Sequence, residues 1–345
     1  MMRTPLLARV MLVPAVALVL LGTARPAEAA VHDLKATPTT VHRGFFDASL
    51  PPVLTIDSGD IVRLETSTGN PRYFEHLGVP KEKIPKELFA EYEGVDNDGR
   101  GDHTLDGPIY VTGAEPGDAI EIKILKVAVR LPIAAMSFRP TRGVLPDEFT
   151  YQKDRVFWID MKHQTVEFAP GVKVPVKPFW GVMAVAPEAS RGRVPSGPPD
   201  IFGGNLDNRD LGAGSSLFLP VQTKGGLVSI GDGHAVQGDG EVGLSAVEGS
   251  LKGEVQIILH KGMKLHGPRA ETPTHYMAIG LSPDLNIAAH NATSDMVNFL
   301  ATEKGLSRDD AYMLCSAAMD LIISEAVDGT KGVHAVIPKA IFSSK

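Results

Sequence analysis

Residues 231–242 read GDGHAVQGDGEV and crowd Asp232, His234, Gln237, Asp239 and Glu241 among glycines at 231, 233, 238 and 240. Carboxylates and an imidazole at this density offer the oxygen and nitrogen donors that zinc takes and several other divalent metals tolerate. The glycines contribute steric freedom: positive φ and close approach of backbone to a ligand. On an extended chain Asp232 and His234 share one face, with Gln237, Asp239 and Glu241 on the other, unless a glycine bend merges the two sets. D-G is also a common hairpin signal, so taken alone the stretch equally suits a calcium-stiffened or solvated turn.

A second cluster lies upstream. FGGNLDNRDLGAGSSLFLP (202–220) carries Asn205, Asp207, Asn208, Arg209 and Asp210 behind a diglycine. The strand-like runs SSLFLPV and GLVSI separate it from the first cluster, and the two could meet at one end of a hairpin, the convergence a site requires. His103 in GRGDHTLDGP is a third candidate, in a loop before a strand that starts at Pro108. The preceding DNDGRGD is not an EF-hand, because Arg100 takes the place of an oxygen ligand and Gly107 that of the closing glutamate. His260, His266, His275 and Glu271 lie around a later strand and loop, where isolated groups are more often structural.

Several other chemistries are excluded. There is no G-x-S-x-G elbow, and GAGSS (212–216) has no matching lysine motif beside it. Val236 replaces the third glycine of a dinucleotide fingerprint, and no P-loop occurs. Cys315 falls on an amphipathic helix, where a small buried residue is expected.

The elements that must position these groups are short and strand-like. The 35 glycines and 26 prolines punctuate apolar runs. Stretches 53–66 and 107–129 each read as strand, turn, strand, with Ile120, Ile122 and Ile124 on one face. A short helix and loop are expected in 80–103, a rigid proline-rich connector over 195–205, and a strand at 254–260. Residues 294–327 read as two helices, with Ser307 capping the second and Met313, Ala317 and Leu321 on one stripe. A last strand follows at 333–342. Trp158 and Trp180 are expected in core or an interface.

The N-terminus reads as a secretory signal peptide over 1–29, with Arg3 and Arg9, an apolar run from Val10 to Leu21, and an A-x-A pattern at Ala27 and Ala29. An exported, periplasmic or secreted protein without a membrane anchor is therefore expected, its N-terminal β-rich domain at 30–195 and the glycine-rich centre with a C-terminal portion at 196–345. Net charge is −7 and no basic cluster follows the leader, which argues against nucleic acid as a partner. The single cysteine rules out an internal disulfide framework.

DHTLDGPIYVTGAEPGD, PFWGVMAVAP, GGNLDNRDLGAGSSLFLPV, GLVSIGDGHAVQGDGEV and LSRDDAYMLCSAAMDLIISEAVD occur in an order and spacing that resemble the acetamidase/formamidase family over nearly all of the chain after the leader. The resemblance implies a β-rich α+β fold, a sandwich- or barrel-like scaffold with a smaller C-terminal α/β portion, usually assembled as homo-oligomers. It implies hydrolysis of a short-chain aliphatic amide to carboxylate and ammonia, with a divalent metal at or near the glycine-rich centre; the mixed N and O donors there favour zinc over calcium. Matched to the family motifs, the metal and site region falls on Asn205, Asp207, Asp232, His234, Gln237, Asp239 and Glu241, with His103 at the earlier motif histidine; the motifs do not assign individual ligands, and among these residues His103, Asp207, Asp232 and His234 are the expected set. Glu241 is the expected proton shuttle with Asp239 as second choice, and Asn205 and Gln237 would hold the substrate's oxyanion. Asp106 stands where the family pattern has threonine before G-P. The alternatives are a hydrolase of another C–N substrate and a non-catalytic, metal-stiffened β-sandwich that binds a ligand.

Overall fold

The computed structural model describes residues 29–95 and 99–342 together with Met1, so the body of the expected signal peptide lies outside the described residues. Twenty strands and four α-helices form among the described residues, in keeping with the strand-rich α+β expectation. The longest pairing joins Ala119–Phe138 to Val247–His260 in antiparallel register. On its other edge, Val247–His260 meets Ile61–Glu65 and, at its start, Val228–Val236. Alternation works as the sequence suggests: Ile120, Ile122 and Ile124 are fully buried and pack with Val62, Leu64, Leu105, Ile109, Val255 and Ile257. Each such side chain contributes roughly 1.5–3 kcal/mol by leaving water. Trp180 lies in the same core and donates its Nε1–H to Thr66 Oγ1 at 3.1 Å. Trp158 is exposed.

A second core forms at the C-terminal end. Helix Leu285–Glu303 is capped by Asp284, whose side chain accepts from Asn286 N and Ile287 N. It lays Ala288, Ala292, Met296 and Leu300 on the paired strands His275–Ser282 and Lys331–Pro338. Helix Arg308–Ala318 begins at the expected Ser307 cap and buries Cys315.

The structure departs from the sequence reading in several places. On helix Arg308–Ala318 the expected stripe residues Met313 and Ala317 are exposed, and Ala311 and Cys315 are buried instead. Leu54–Ile56 and Ile61–Glu65 both form but do not pair with each other: the first runs parallel to Thr104–Val111, the second antiparallel to Val247–His260. Leu321 is not helical. Asp320–Glu325 is a strand on Lys331–Pro338, as suits its β-branched Ile322 and Ile323. Ser216–Pro220 pairs with Ala119–Phe138 and Arg269–Glu271 rather than with Val228–Val236. The two glycine-rich clusters are joined instead by Phe179–Ala184, which pairs with Gly203–Asn205 on one edge and Val228–Val236 on the other.

Candidate active site

Val228–Val236 is buried along almost all its length, between Phe179–Ala184 on one side and Thr104–Val111 and Val247–His260 on the other. Its glycines reflect that crowding. A Cβ on Gly233 would run into the carbonyl of Gly249 and the side chain of Leu251. Asp232 and His234 project from the same strand, and Glu248 is the cross-strand partner of His234. His234 Nε2 lies 3.0 Å from Asp232 Oδ2, 3.2 Å from Glu248 Oε2 and 3.6 Å from Asp207 Oδ1.

Asp207 arrives from the other cluster. After Gly203–Asn205 the chain turns, and the amides of Leu206 and Asp207 both donate to the carbonyl of Gly181. The Asp207 side chain is buried, and neither carboxylate oxygen has a hydrogen-bond partner among the described residues. Asp207, Glu241 and Asp328 form a further group whose ligand atoms lie within 4.8 Å of one another. Asp328 follows the strand Asp320–Glu325 and accepts from Asn205 Nδ2 at 2.8 Å. Asp207, Asp232 and Glu241 have φ of 42°, 53° and 44°. Left-handed backbone at a non-glycine residue costs about 1–2 kcal/mol, so three acidic side chains are held in this cluster against local preference, a pattern typical of functional sites.

The electrostatics follow from burial and like charge. Burial pushes Asp207 well above the usual carboxylate range, and the charge of Glu241 adds to the shift. Burial also raises Glu241, Glu248 and Asp328. Burial opposes a charged His234, but Glu248 and Asp232 outweigh it and raise its pKa well above the ordinary value. Asp232 moves the other way: against the penalty of burial, His234 and His103 draw it down to about 2.

Gln237 fixes the ring of His234. Its Nε2 donates to the carbonyls of Asp207 at 2.7 Å and Ser324 at 3.3 Å, which turns Oε1 toward His234 Nδ1 at 2.8 Å. Nδ1 must then carry the hydrogen, and a neutral ring presents the lone pair of Nε2 to three carboxylates. That arrangement is relieved either by a second proton on Nε2, which the raised pKa of His234 favours, or by a cation among the carboxylates. The cluster closes against Gly181, where an added Cβ would run into Asp207 Oδ1, Asp232 Oδ2 and, at 2.9 Å, His234 Cε1. The partnerless oxygens of Asp207, the partnerless Oε2 of Glu248 and this mixed N/O donor set all fit a divalent cation.

His103 stands at the edge of the cluster, with Nδ1 2.9 Å from Ser196 Oγ and Nε2 3.9 Å from Asp232 Oδ2. Asn205 lines the cavity with its Nδ2 engaged by Asp328. Two expected residues sit elsewhere. Asp239 is on the exposed side of its loop, 3.7 Å from Arg209, so it cannot serve the cavity. Gln237 lies behind His234 with its N–H groups committed to backbone carbonyls, so it orients a ring rather than holding substrate. Asp106 is fully buried, outside the cavity lining, and burial pushes its carboxyl well up. Sequence reasoning missed Glu248, Asp328 and Gly181. Glu248 and Asp328 sit in an ordinary strand and a D-G turn, and neither local pattern marks chemistry.

The acetamidase/formamidase family model matches residues 32–191 and 191–344. A formamidase from Methylophilus methylotrophus is 27% identical over 300 residues, covering 66% of this chain and 73% of that protein. An acetamidase from Yersinia enterocolitica superposes with a TM-score of 0.79 at 30% identity, over 94% of this chain and 96% of that one. A predicted acetamidase/formamidase from Thermoanaerobacter tengcongensis gives a TM-score of 0.77 at 28% identity, over 91% and 97%. With sequence matched across nearly the whole described chain and the fold matched with it, the protein belongs to the acetamidase/formamidase family of amide-hydrolysing enzymes.

Proposed function

We propose that the protein hydrolyses a short-chain aliphatic amide to a carboxylate and ammonia, and that it needs a divalent cation, zinc by preference, to do so. The observation that carries this reading is the convergence of Asp207, Asp232 and His234, whose ligand atoms lie within 4.8 Å of one another, with His234 Nε2 aimed at carboxylates. These three residues would hold the cation, with Glu248 beside His234 as a fourth donor and His103 at the edge. Bound there, a divalent cation would polarise the amide carbonyl and acidify water.

The chain's own residues divide the remaining work. Glu241, buried and with its pKa raised, can accept a proton from the attacking water and return it to the departing nitrogen. The water oxygen bonds to the carbonyl carbon, the C–N bond breaks, and the proton leaves with the amine. Asn205 lines the same cavity, and the Nδ2 hydrogen not used by Asp328 can reach the carbonyl oxygen as charge develops there. Gln237 keeps Nε2 of His234 on the cation by holding the hydrogen on Nδ1.

The test is ammonia release from formamide, acetamide and propionamide by protein as purified, after chelation, and after readdition of zinc, with elemental analysis of each sample. Release that chelation abolishes and zinc restores is the expected result. Turnover that survives complete removal of metal would refute cation dependence, and a metal-replete protein inert toward every amide would refute the amidase reading.

A further inference from the structure

The cavity above the acidic floor has a volume of about 590 Å³. A molecule of acetamide displaces two to three waters, on the order of 100 Å³. A short amide therefore fills only a fraction of the cavity and leaves room for a longer chain.

The lining also carries positive charge, from Arg43, Arg139 and Arg142, together with Tyr73 and Tyr92. Arg142 is engaged: its Nη2 donates to the carbonyl of Val327 at 3.3 Å and lies 3.8 Å from Asp328 Oδ1. Arg43 is different. It is half-buried on the strand Val41–Arg43, directly across from Thr104. Its guanidinium lies 5.1 Å from the centre of the Tyr92 ring, and its Nε is buried with no acceptor among the described residues. The carboxylate of Glu91, beside Tyr92 in the chain, is taken by Arg130 in two hydrogen bonds of 2.8 Å. A buried charged donor without an acceptor is costly. In the wall of a substrate cavity, its acceptor can come with the ligand.

We infer that Arg43 is a carboxylate-recognising group, and that the preferred substrate is an amide whose chain ends in a carboxylate. The planar fork of a guanidinium matches a carboxylate in two parallel hydrogen bonds, and stacking on Tyr92 holds that fork in place. Thr104 relates the two ends of the substrate. It follows His103, whose Nε2 is 3.9 Å from Asp232, and it is the cross-strand partner of Arg43. Arg43 and the acidic floor line one cavity, so amides of increasing chain length measure the reach from one to the other. The inference rests on the amidase reading of the floor.

The experiment measures kcat/KM for the monoamides of malonic, succinic and glutaric acids against propionamide, butyramide and valeramide, using the metal-replete protein. Arg43→Gln and the charge-preserving Arg43→Lys are assayed beside it, and calorimetric binding is measured for the same compounds. One anionic amide should exceed its neutral counterpart about ten-fold or more, the worth of a single charge-assisted hydrogen bond. That ratio should collapse in Arg43→Gln and survive in part in Arg43→Lys. Equal use of anionic and neutral amides, or a preference unchanged in Arg43→Gln, overturns the assignment. Binding selective for the anionic amides and dependent on Arg43, without turnover of any amide, would refute the amidase reading and leave the subsite standing.

Discussion

Gly181→Ala offers a direct test of the cation site, because it adds one methyl group at the centre of the cluster. The added Cβ would stand 2.5 Å from Asp232 Oδ2 and 2.9 Å from His234 Cε1, and closer still to Asp207 Oδ1. Comfortable non-bonded contact begins near ~3.5 Å, so each group must retreat by roughly 0.5–1 Å or more. None is free to do so. Asp207 and Asp232 sit on constrained left-handed backbone, and the ring of His234 is tied to Gln237. Gly181 itself is not in the left-handed region, so alanine brings a steric effect without backbone strain. Overpacking of this kind costs about 1–3 kcal/mol, which the fold can absorb. A displacement of about 1 Å at a reacting centre costs on the order of 100-fold in rate. The variant should melt cooperatively by circular dichroism, a few degrees below wild type. Its kcat/KM for acetamide should fall about 100-fold or more, and it should retain less cation by elemental analysis. Wild-type turnover with full metal content in a folded Gly181→Ala protein would refute the placement of the cation.

Three further substitutions probe the surrounding groups. Glu241→Gln keeps the shape and removes the titrating group, so ammonia release should drop by about 10²- to 10⁴-fold with cation content preserved; undiminished turnover would take Glu241 out of the proton path. Gln237→Leu frees the His234 ring and removes the side-chain donor to the Asp207 carbonyl, Ser324 keeping the amide of Gly240, and zinc affinity measured by competition with a chelator should weaken by about 10- to 100-fold; unchanged affinity would mean that ring orientation does not depend on Gln237. His42 tests acid stability. Burial lowers its pKa from 6.5 to about 4, against weaker raising by the Phe45 backbone and Asp47. The unfolded chain binds that proton first as pH falls below about 6.5, so the stability of the neutral buried ring is lost between about pH 6.5 and 4. From pH 7 to 5 the difference is about 2 kcal/mol. Urea unfolding of His42→Gln at both pH values should show a pH dependence smaller by that amount, and parallel behaviour of the two proteins would contradict it.

Much of the fold could be read locally because its cause is local. Ile120, Ile122 and Ile124 alternate and face the core, and Ser307 caps its helix through the hydroxyl the pattern suggests. Asp207, Asp232, His234 and Glu241 stood out because acids among glycines serve strands poorly unless the backbone must bend. Glu248 gave no such sign, since its role comes only from the register that sets it opposite His234. Gln237 was visible as a polar group near the site, but its two carbonyl partners lie at positions 207 and 324, which no local pattern relates to it. Asp239 was misplaced for the same reason. Two residues from Glu241 in sequence, it falls on the outer side of a turn whose direction is set by tertiary packing.

The floor of the cavity is assembled from residue 103, residue 207, the segment 232–248 and residue 328, so no short stretch of the chain contains it. In the unfolded polypeptide these donors are diluted through a long, flexible coil, and closing the intervening loops is slow and entropically opposed. A cation that engages them as a set therefore discriminates between the finished protein and everything that precedes it. By mass action, its binding energy adds to the stability of the whole sheet and not to any one hairpin. If the proposed cation binds there, its capture and completion of the tertiary structure would be a single event, and a partly folded chain would offer neither the assembled cluster nor a competent trap for the ion.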